Sequence, residues 1–263
     1  VNGRGILELR AAGIQVDIGQ NESQYKELLA PYFKWVATNL PFVTAKYAMS
    51  LDGKIATDRG ESRWITGTIS RKFAHKLRKE SDAIIIGIGT ATQDNPRLTA
   101  RDAAGKPRIH QPLRVIIDST GNLSPQSLLF QEPGNTLVAT ATISNDRKSL
   151  LNNSGAEVLV IPDEKNWVNL DQLMEELGKR GMVNVLVEGG GNLLASMIRQ
   201  QLVDKILAFI APIIIGGKNS PTPVEGQSVT KLIQSTKVEN TKTRKLGEDL
   251  LIIGYPSKEV GYV

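Results

Sequence analysis

The chain of 263 residues has no cysteine and only two histidines. Without a thiol there is no disulfide, no thiolate nucleophile and no zinc–thiolate site. His75 falls in an amphipathic helical pattern and His110 in a polar loop. Such lone, distant histidines are read as structural or solvent-facing, so neither a histidine triad nor a metal site is expected. No stretch approaches the ~18 apolar residues of a membrane span. Neither G-x-G-x-x-G nor G-x-x-x-x-G-K-[ST] occurs, which excludes the usual dinucleotide and P-loop fingerprints. The opening "VNGRGILELRAAGIQV" is neither a signal peptide nor a methionine start, and reads as the interior of a longer protein.

What is present is the composition of a soluble globular protein with a sizeable core: 40% hydrophobic, 22% charged and 5% aromatic residues. The net charge of +5 suits an anionic ligand. The basic residues are scattered rather than packed into arms, so neither a nucleic-acid nor a membrane partner is expected, and the compartment is taken as cytoplasmic.

Along the chain, short apolar runs alternate with helical patterns. The first forty residues hold a helical stretch over 5–12, a strand-like "IQVDI" and a second helix over 23–38. Then "FVTAKYAM", "AIIIGIG", "LRVIIDS", "TLVAT", "EVLVIP", "VNVLVE" and "KILAFIAPIIIGG" read as strands. Helices are expected from Thr68 or Ser70, near 144–151, and over "NLDQLMEELGKRGM", with Leu170, Leu173, Met174 and Leu177 on one face and a stop at Gly181. The last segment alternates as antiparallel strands do. This pattern predicts one α/β domain around a mainly parallel sheet.

The run "EGGGNLLASMI" (188–198) places three glycines between a buried strand and a helix. Free N–H groups and the positive end of a helix dipole there favour an anion, first of all a phosphate, although such turns also arise for packing. Glu188, just before the glycines, either caps the helix or faces a ligand. Ligands of open α/β sheets gather at the carboxyl ends of strands. Polar groups crowd those ends: Asp52, Lys54, Ser62, Arg63 and Trp64 after the first; Thr90, Asp94, Arg97 and Arg101 after the second; Asp118 to Thr120 after the third. One cleft explains them better than four accidents. They point to a doubly phosphorylated cofactor, a phosphorylated substrate, or both, and leave hydride transfer and phosphosugar binding equally open.

"TAKYAMSLDGKIATDRGESRWITG", "IGIGTATQDNPRLTAR", "RVIIDS" and "VLVEGGGNLLASMI…LVDKILAFIAPIIIGG" closely resemble the reductase domain of the riboflavin-biosynthesis deaminase–reductases, in the family's order and spacing over about 41–255. The resemblance implies an α/β, dihydrofolate-reductase-like three-layer fold, with a mainly parallel central sheet and antiparallel C-terminal strands. It divides the chain into the tail of a deaminase-like domain and its connection (1–40), a reductase domain (41–256) and a C-terminal tail (257–263). It implies NADPH-dependent reduction of the ribosyl group of 5-amino-6-(5-phosphoribosylamino)uracil to the ribityl form. Ala48, Trp64, Thr90, Asp94, Ser119 and the run Gly190, Gly191, Asn192, Leu193, Leu194, Ala195 and Ser196 would line the NADPH site. Ser62, Arg78, Leu98, Arg101 and Glu188 would hold the phosphorylated pyrimidine substrate. Lys54 and Glu188 are the catalytic candidates, and Asp52 a turn residue that positions Lys54. A homodimer and a deaminase domain in the parent chain are the expected partners, with a plastid location if the parent is from a plant. The deaminase's zinc motif of histidine and cysteines is absent, so deamination is not expected of this chain. The alternatives are a pteridine-type reductase on the same fold and a non-catalytic phosphoribosyl- or nucleotide-binding module.

Overall fold

The structure is a computed structural model that describes residues 3–19, 22–102 and 105–258. Two helices, α1 (Arg4–Ala11) and α2 (Glu22–Thr38), precede strand β1 (Phe42–Ser50). There follow α3 (Thr68–Lys79), β2 (Ala83–Gly87), α4 (Ile88–Asp94), β3 (Leu113–Ile117), β4 (Thr136–Thr140), α5 (Asn145–Asn153) and β5 (Ala156–Val160). The chain continues through α6 (Leu170–Lys179), β6 (Asn184–Glu188), α7 (Gly191–Arg199), β7 (Lys205–Ala211), β8 (Val238–Leu246) and β9 (Asp249–Pro256). The strand-like "IQVDI" forms no strand: it is an irregular segment, exposed at Ile14 and Ile18, with no neighbouring strand to supply hydrogen bonds.

One sheet runs in the order β5-β4-β3-β2-β6-β1-β7-β9-β8. All pairings from β5 to β7 are parallel, and β9 and β8 close the sheet antiparallel. The parallel strands are covered on both faces, which is why they read as nearly continuous apolar runs. On one face α6 and α7 bury Leu173, Leu177, Leu194 and Met197 against Val43, Ala45, Val185 and Val187. On the other, α3 and α5 cover Ile84, Ile86, Ile116 and Phe209 through Leu77, Phe73 and Leu151. The run "FIAPIII" is divided by the end of β7: Phe209 and Ala211 are core, whereas Ile213 and Ile214 are exposed beyond it.

Helix α2 is fastened to this frame by ions. Lys34 reaches Asp204 at 2.6 Å, and Asp204 also accepts the Val43 N–H at 2.8 Å. Glu27 accepts hydrogen bonds from Lys242 at 2.6 Å and the Tyr255 hydroxyl at 2.8 Å; those bonds, with help from Lys205, lower its pKa to about 2. Among the described residues no helix is long and apolar enough to cross a membrane.

Gly178 marks the closest approach of helix to backbone. A Cβ there would lie 1.8 Å from the Asn39 carbonyl oxygen, and the Trp35 indole donates to the Gly178 carbonyl at 3.3 Å. Glycine to alanine inside a helix ordinarily stabilises by about 1 kcal/mol, but overlap of that size costs about 1–3 kcal/mol and wins. Gly178→Ala is therefore expected to lower the urea midpoint. A midpoint that rises would mean that α6 moves aside at no cost.

Candidate active site

Four strand ends on the central part of the sheet converge on one region. Strand β6 delivers Glu188, which sits on the α3 face of the sheet with only 7% of its surface exposed. Arg78, in the last turn of α3, meets it with a bidentate pair: Nε donates to Oε1 at 3.0 Å and Nη2 to Oε2 at 2.6 Å. Across the β1–β6 ladder the register partner of Glu188 is Lys46, on the same face, with its ammonium 5.7 Å from the Phe209 ring centre. Burial by itself would raise the Glu188 pKa; Arg78 and Lys46 outweigh it and hold the carboxyl below its ordinary range. Burial lowers the Lys46 pKa, with Glu188 opposing it.

Immediately after Glu188 the chain turns on the glycines. Gly189 and Gly190 have φ of 79° and 83°, a region other residues rarely adopt. Gly191 is required for room: a Cβ there would meet Glu225 Cγ at 2.5 Å and the Thr222 carbonyl at 2.8 Å. Helix α7 then starts with no side-chain cap, so its first-turn N–H groups are left for a ligand or water. The glycine run thus combines two positive-φ residues that turn the backbone with a third that a packing contact requires. Thr90, on α4, lies against this cradle, its Oγ1 3.5 Å from where a Cβ on Gly190 would stand. Leu193, Leu194 and Ala195 are core side chains, and the Ser196 hydroxyl donates to the Asn192 carbonyl at 2.9 Å. This segment therefore presents backbone more than side chains to the turn.

The loops are stitched together around the cradle. The Ser62 hydroxyl donates to Asp94 at 3.2 Å and Arg63 donates to the Asp94 carbonyl at 3.0 Å, which ties the loop after β1 to the end of α4. Trp64, 71% exposed, stacks under the Arg71 guanidinium at 4.7 Å. Asp52 accepts from the Ser50 hydroxyl at 2.6 Å and from the N–H groups of Ile215 and Gly216 at 3.0 and 2.7 Å, which lowers its pKa to about 2. It joins the ends of β1 and β7 as a turn residue does. Lys54 donates its ammonium to the Ser220 carbonyl at 3.3 Å. Leu98 is buried with φ 48°, and Arg101 donates to the Gly105 carbonyl at 2.8 Å and stands 3.9 Å from Glu132. Ser119 sits just past β3, its carbonyl accepting the N–H groups of Ala141 and Thr142 at 3.1 and 3.0 Å. Ala48 is half-buried on β1 opposite Phe209.

Lys46 is the group that motif reading passed over. Its signal was in plain view: a lysine inside an otherwise apolar central strand, where a charge is tolerated only with a partner. A cavity of about 720 Å³ opens at the opposite, amino-terminal end of the sheet beside His110, Thr136 and Arg180. There Arg180 is already neutralised by Glu157 and Glu176.

The site thus combines an uncapped helix start, a glycine turn, a buried carboxylate and several cations. The model of the RibD C-terminal domain matches residues 41–252. The chain belongs to that family. It is 34% identical over 254 residues to the riboflavin biosynthesis protein RibD of Actinobacillus pleuropneumoniae, covering 96% of this chain and spanning 66% of that relative's length. The solved structure of Acinetobacter baumannii RibD superposes with a TM-score of 0.80 at 28% identity, over 98% of this chain and 70% of that one. A deaminase / 5-amino-6-(5-phosphoribosylamino)uracil reductase from Thermotoga maritima does so with a TM-score of 0.74 at 28% identity, over 97% of this chain and 68% of that one. The dihydrofolate-reductase-like fold stands accordingly.

The ion pair has a pH signature. The Glu188 pKa lies below its ordinary 4.5 in the folded protein. Its stabilisation is therefore complete above that ordinary value and is lost as pH falls through the lowered one. Glu188→Gln is expected to be destabilised by about 3 kcal/mol near neutral pH. The gap from wild type should close as urea denaturation is repeated toward pH ~2. A gap independent of pH would mean that the carboxylate charge contributes nothing.

Proposed function

We propose that the chain catalyses the NADPH-dependent reduction of the ribosyl group of 5-amino-6-(5-phosphoribosylamino)uracil to the ribitylamino product. The observation that carries this reading is the buried Arg78–Glu188–Lys46 cluster directly beside the glycine cradle. In this reading proton-handling groups stand next to a backbone turn that suits a diphosphate. Membership of a family that includes reductases of this substrate supports it.

The residues fit the cofactor. Gly189 and Gly190 let a diphosphate approach backbone, and the uncapped start of α7 offers N–H donors and the positive end of its dipole. Thr90, Asp94, Ser119, Trp64 and Ala48 would complete the site, with Ser119 placed to meet the ribose phosphate that separates NADPH from NADH. When bound, NADPH supplies the hydride. The protein's part is to orient the opened sugar and to handle one proton at its first carbon's heteroatom. Arg78 and Arg101 would hold the sugar phosphate, with Ser62 and Leu98 shaping its approach. Lys46, with a pKa lowered by burial, is suited to give up a proton, and Glu188, kept ionised by Arg78 and Lys46, to position it. Lys54, anchored on Ser220, would hold the mouth of the site from the β1 loop. A homodimer and a deaminase domain in the parent chain complete the proposal. Residues 1–40 would be the tail of that domain and its connection to the reductase.

The decisive test follows NADPH absorbance with 5-amino-6-(5-phosphoribosylamino)uracil, with dihydrofolate and NADH in parallel. Turnover with the phosphorylated pyrimidine and not with dihydrofolate is expected. Glu188→Gln and Lys46→Ala should each lower kcat by about 10²-fold. Arg78→Lys, which loses the bidentate fork, should chiefly raise KM. Turnover of dihydrofolate instead would favour the pteridine reductase. Saturable nucleotide binding without any turnover would favour a binding module.

A further inference from the structure

His75 has no part in the steps above, yet its surroundings are unusual. It lies on α3 three residues before Arg78, so the two side chains are neighbours on the helix surface. The charged groups around its ring come from four places: Arg78 on α3, Glu188 at the end of β6, Lys46 on β1 and Arg101 beyond α4. Three are cations against one carboxylate, and that carboxylate is already doubly bonded to Arg78. The ring Nδ1 is buried and has no hydrogen-bond partner among the described residues.

These surroundings favour one tautomer of the free ring. A buried N–H without an acceptor is costly, and a lone pair is favoured where cations surround it. They assign the single proton to Nε2. Burial, then Arg78, Arg101 and Lys46, push the imidazole below its ordinary 6.5, with Glu188 opposing, so the ring is neutral near pH ~7. A neutral donor among cations adds a directed hydrogen bond without adding repulsion, which a further lysine or arginine would. Such a donor, in a field with excess positive charge, suits an anion with several acceptor oxygens.

We propose that His75 is a substrate-contacting residue whose Nε2–H donates to the phosphate monoester of a sugar-phosphate ligand, between Arg78 and Arg101; the identity of that ligand rests on the function proposed above. The phosphate dianion cancels the surrounding positive field as it binds. It thereby makes His75 easier to protonate, and ligand binding and ring titration become linked.

His110→Ala leaves His75 as the one imidazole in the chain, so its ring signals can be followed by NMR through a pH titration. Ribose 5-phosphate is the probe and ribose the control. Without ligand the ring should titrate below the ordinary histidine range. Ribose 5-phosphate should move the midpoint up by about one pH unit, whereas ribose should leave it in place. By calorimetry, His75→Ala should weaken ribose 5-phosphate binding about tenfold. His75→Gln, which keeps a neutral donor, should restore most of that affinity, and NADPH affinity should be unchanged in both. The proposal is overturned if ribose and ribose 5-phosphate act alike on the ring, if His75→Ala binds as tightly as wild type, or if ribose 5-phosphate does not bind saturably. Failure of the two readings is separable. Reduction of the aminouracil with an unmoved His75 signal removes this inference alone. A shifted His75 signal without reduction leaves the phosphate contact standing and removes the assigned reaction.

Discussion

A carboxylate enclosed at the end of a central strand loses several kcal/mol of hydration, and only a close cation in good geometry offsets it. In this protein Arg78 meets Glu188 with two parallel hydrogen bonds, and Lys46 adds charge from the neighbouring strand. The pair links the last turn of α3 to the carboxyl end of β6, so the helix that covers one face of the sheet is set relative to the glycine turn on that strand. Replacing such a pair by apolar residues is often neutral or stabilising. Its presence is therefore weak evidence for stability, and the function proposed above gives it a role.

The loops give this centre a rigid rim. Asp52 binds the end of β1 to the segment after β7, Asp94 joins α4 to the loop that carries Ser62, Arg63 and Trp64, and Lys54 reaches Ser220. Ser220 is itself buried, and the neighbouring Thr222–Glu225 stretch presses on Gly191. Polar residues that crowd a loop in sequence are thus divided between fastening the rim and facing inward. Residue type alone does not separate the two, since an exposed carboxylate such as Asp52 and an enclosed one such as Glu188 look alike until their neighbours are known.

Much of the framework could be read from pattern. The boundaries of β1, α3, α6 and α7 follow from the change between continuous apolar runs and helical spacing, and Leu170, Leu173, Met174 and Leu177 are all buried as their spacing requires. Pattern failed at "IQVDI", where alternation without a partner strand makes no sheet, and it did not assign a helix to 88–94, where a short helix follows directly on a strand. At the site, Glu188 and the glycines announced themselves by position. Arg78 entered only through family resemblance, because on a helical wheel it is one of several basic residues in α3. Lys46 stood out as a charge inside an apolar strand, but the sequence does not say which partner it meets.

What the sequence determined by itself is therefore local and periodic: which segments are strands or helices, that they alternate into a parallel sheet, and that two glycines at one strand end must open the backbone. These follow from short-range sterics and from the repeat of apolar side chains, which act within a few residues. The tertiary structure alone decided which charges meet. Lys46, His75, Arg78, Arg101 and Glu188 are spread over more than half of the chain, and the insertion of β6 between β2 and β1 brings Glu188 beside Lys46 and within reach of α3. Electrostatic coupling depends on distance through space and on burial, and neither is written in the spacing of residues along the chain.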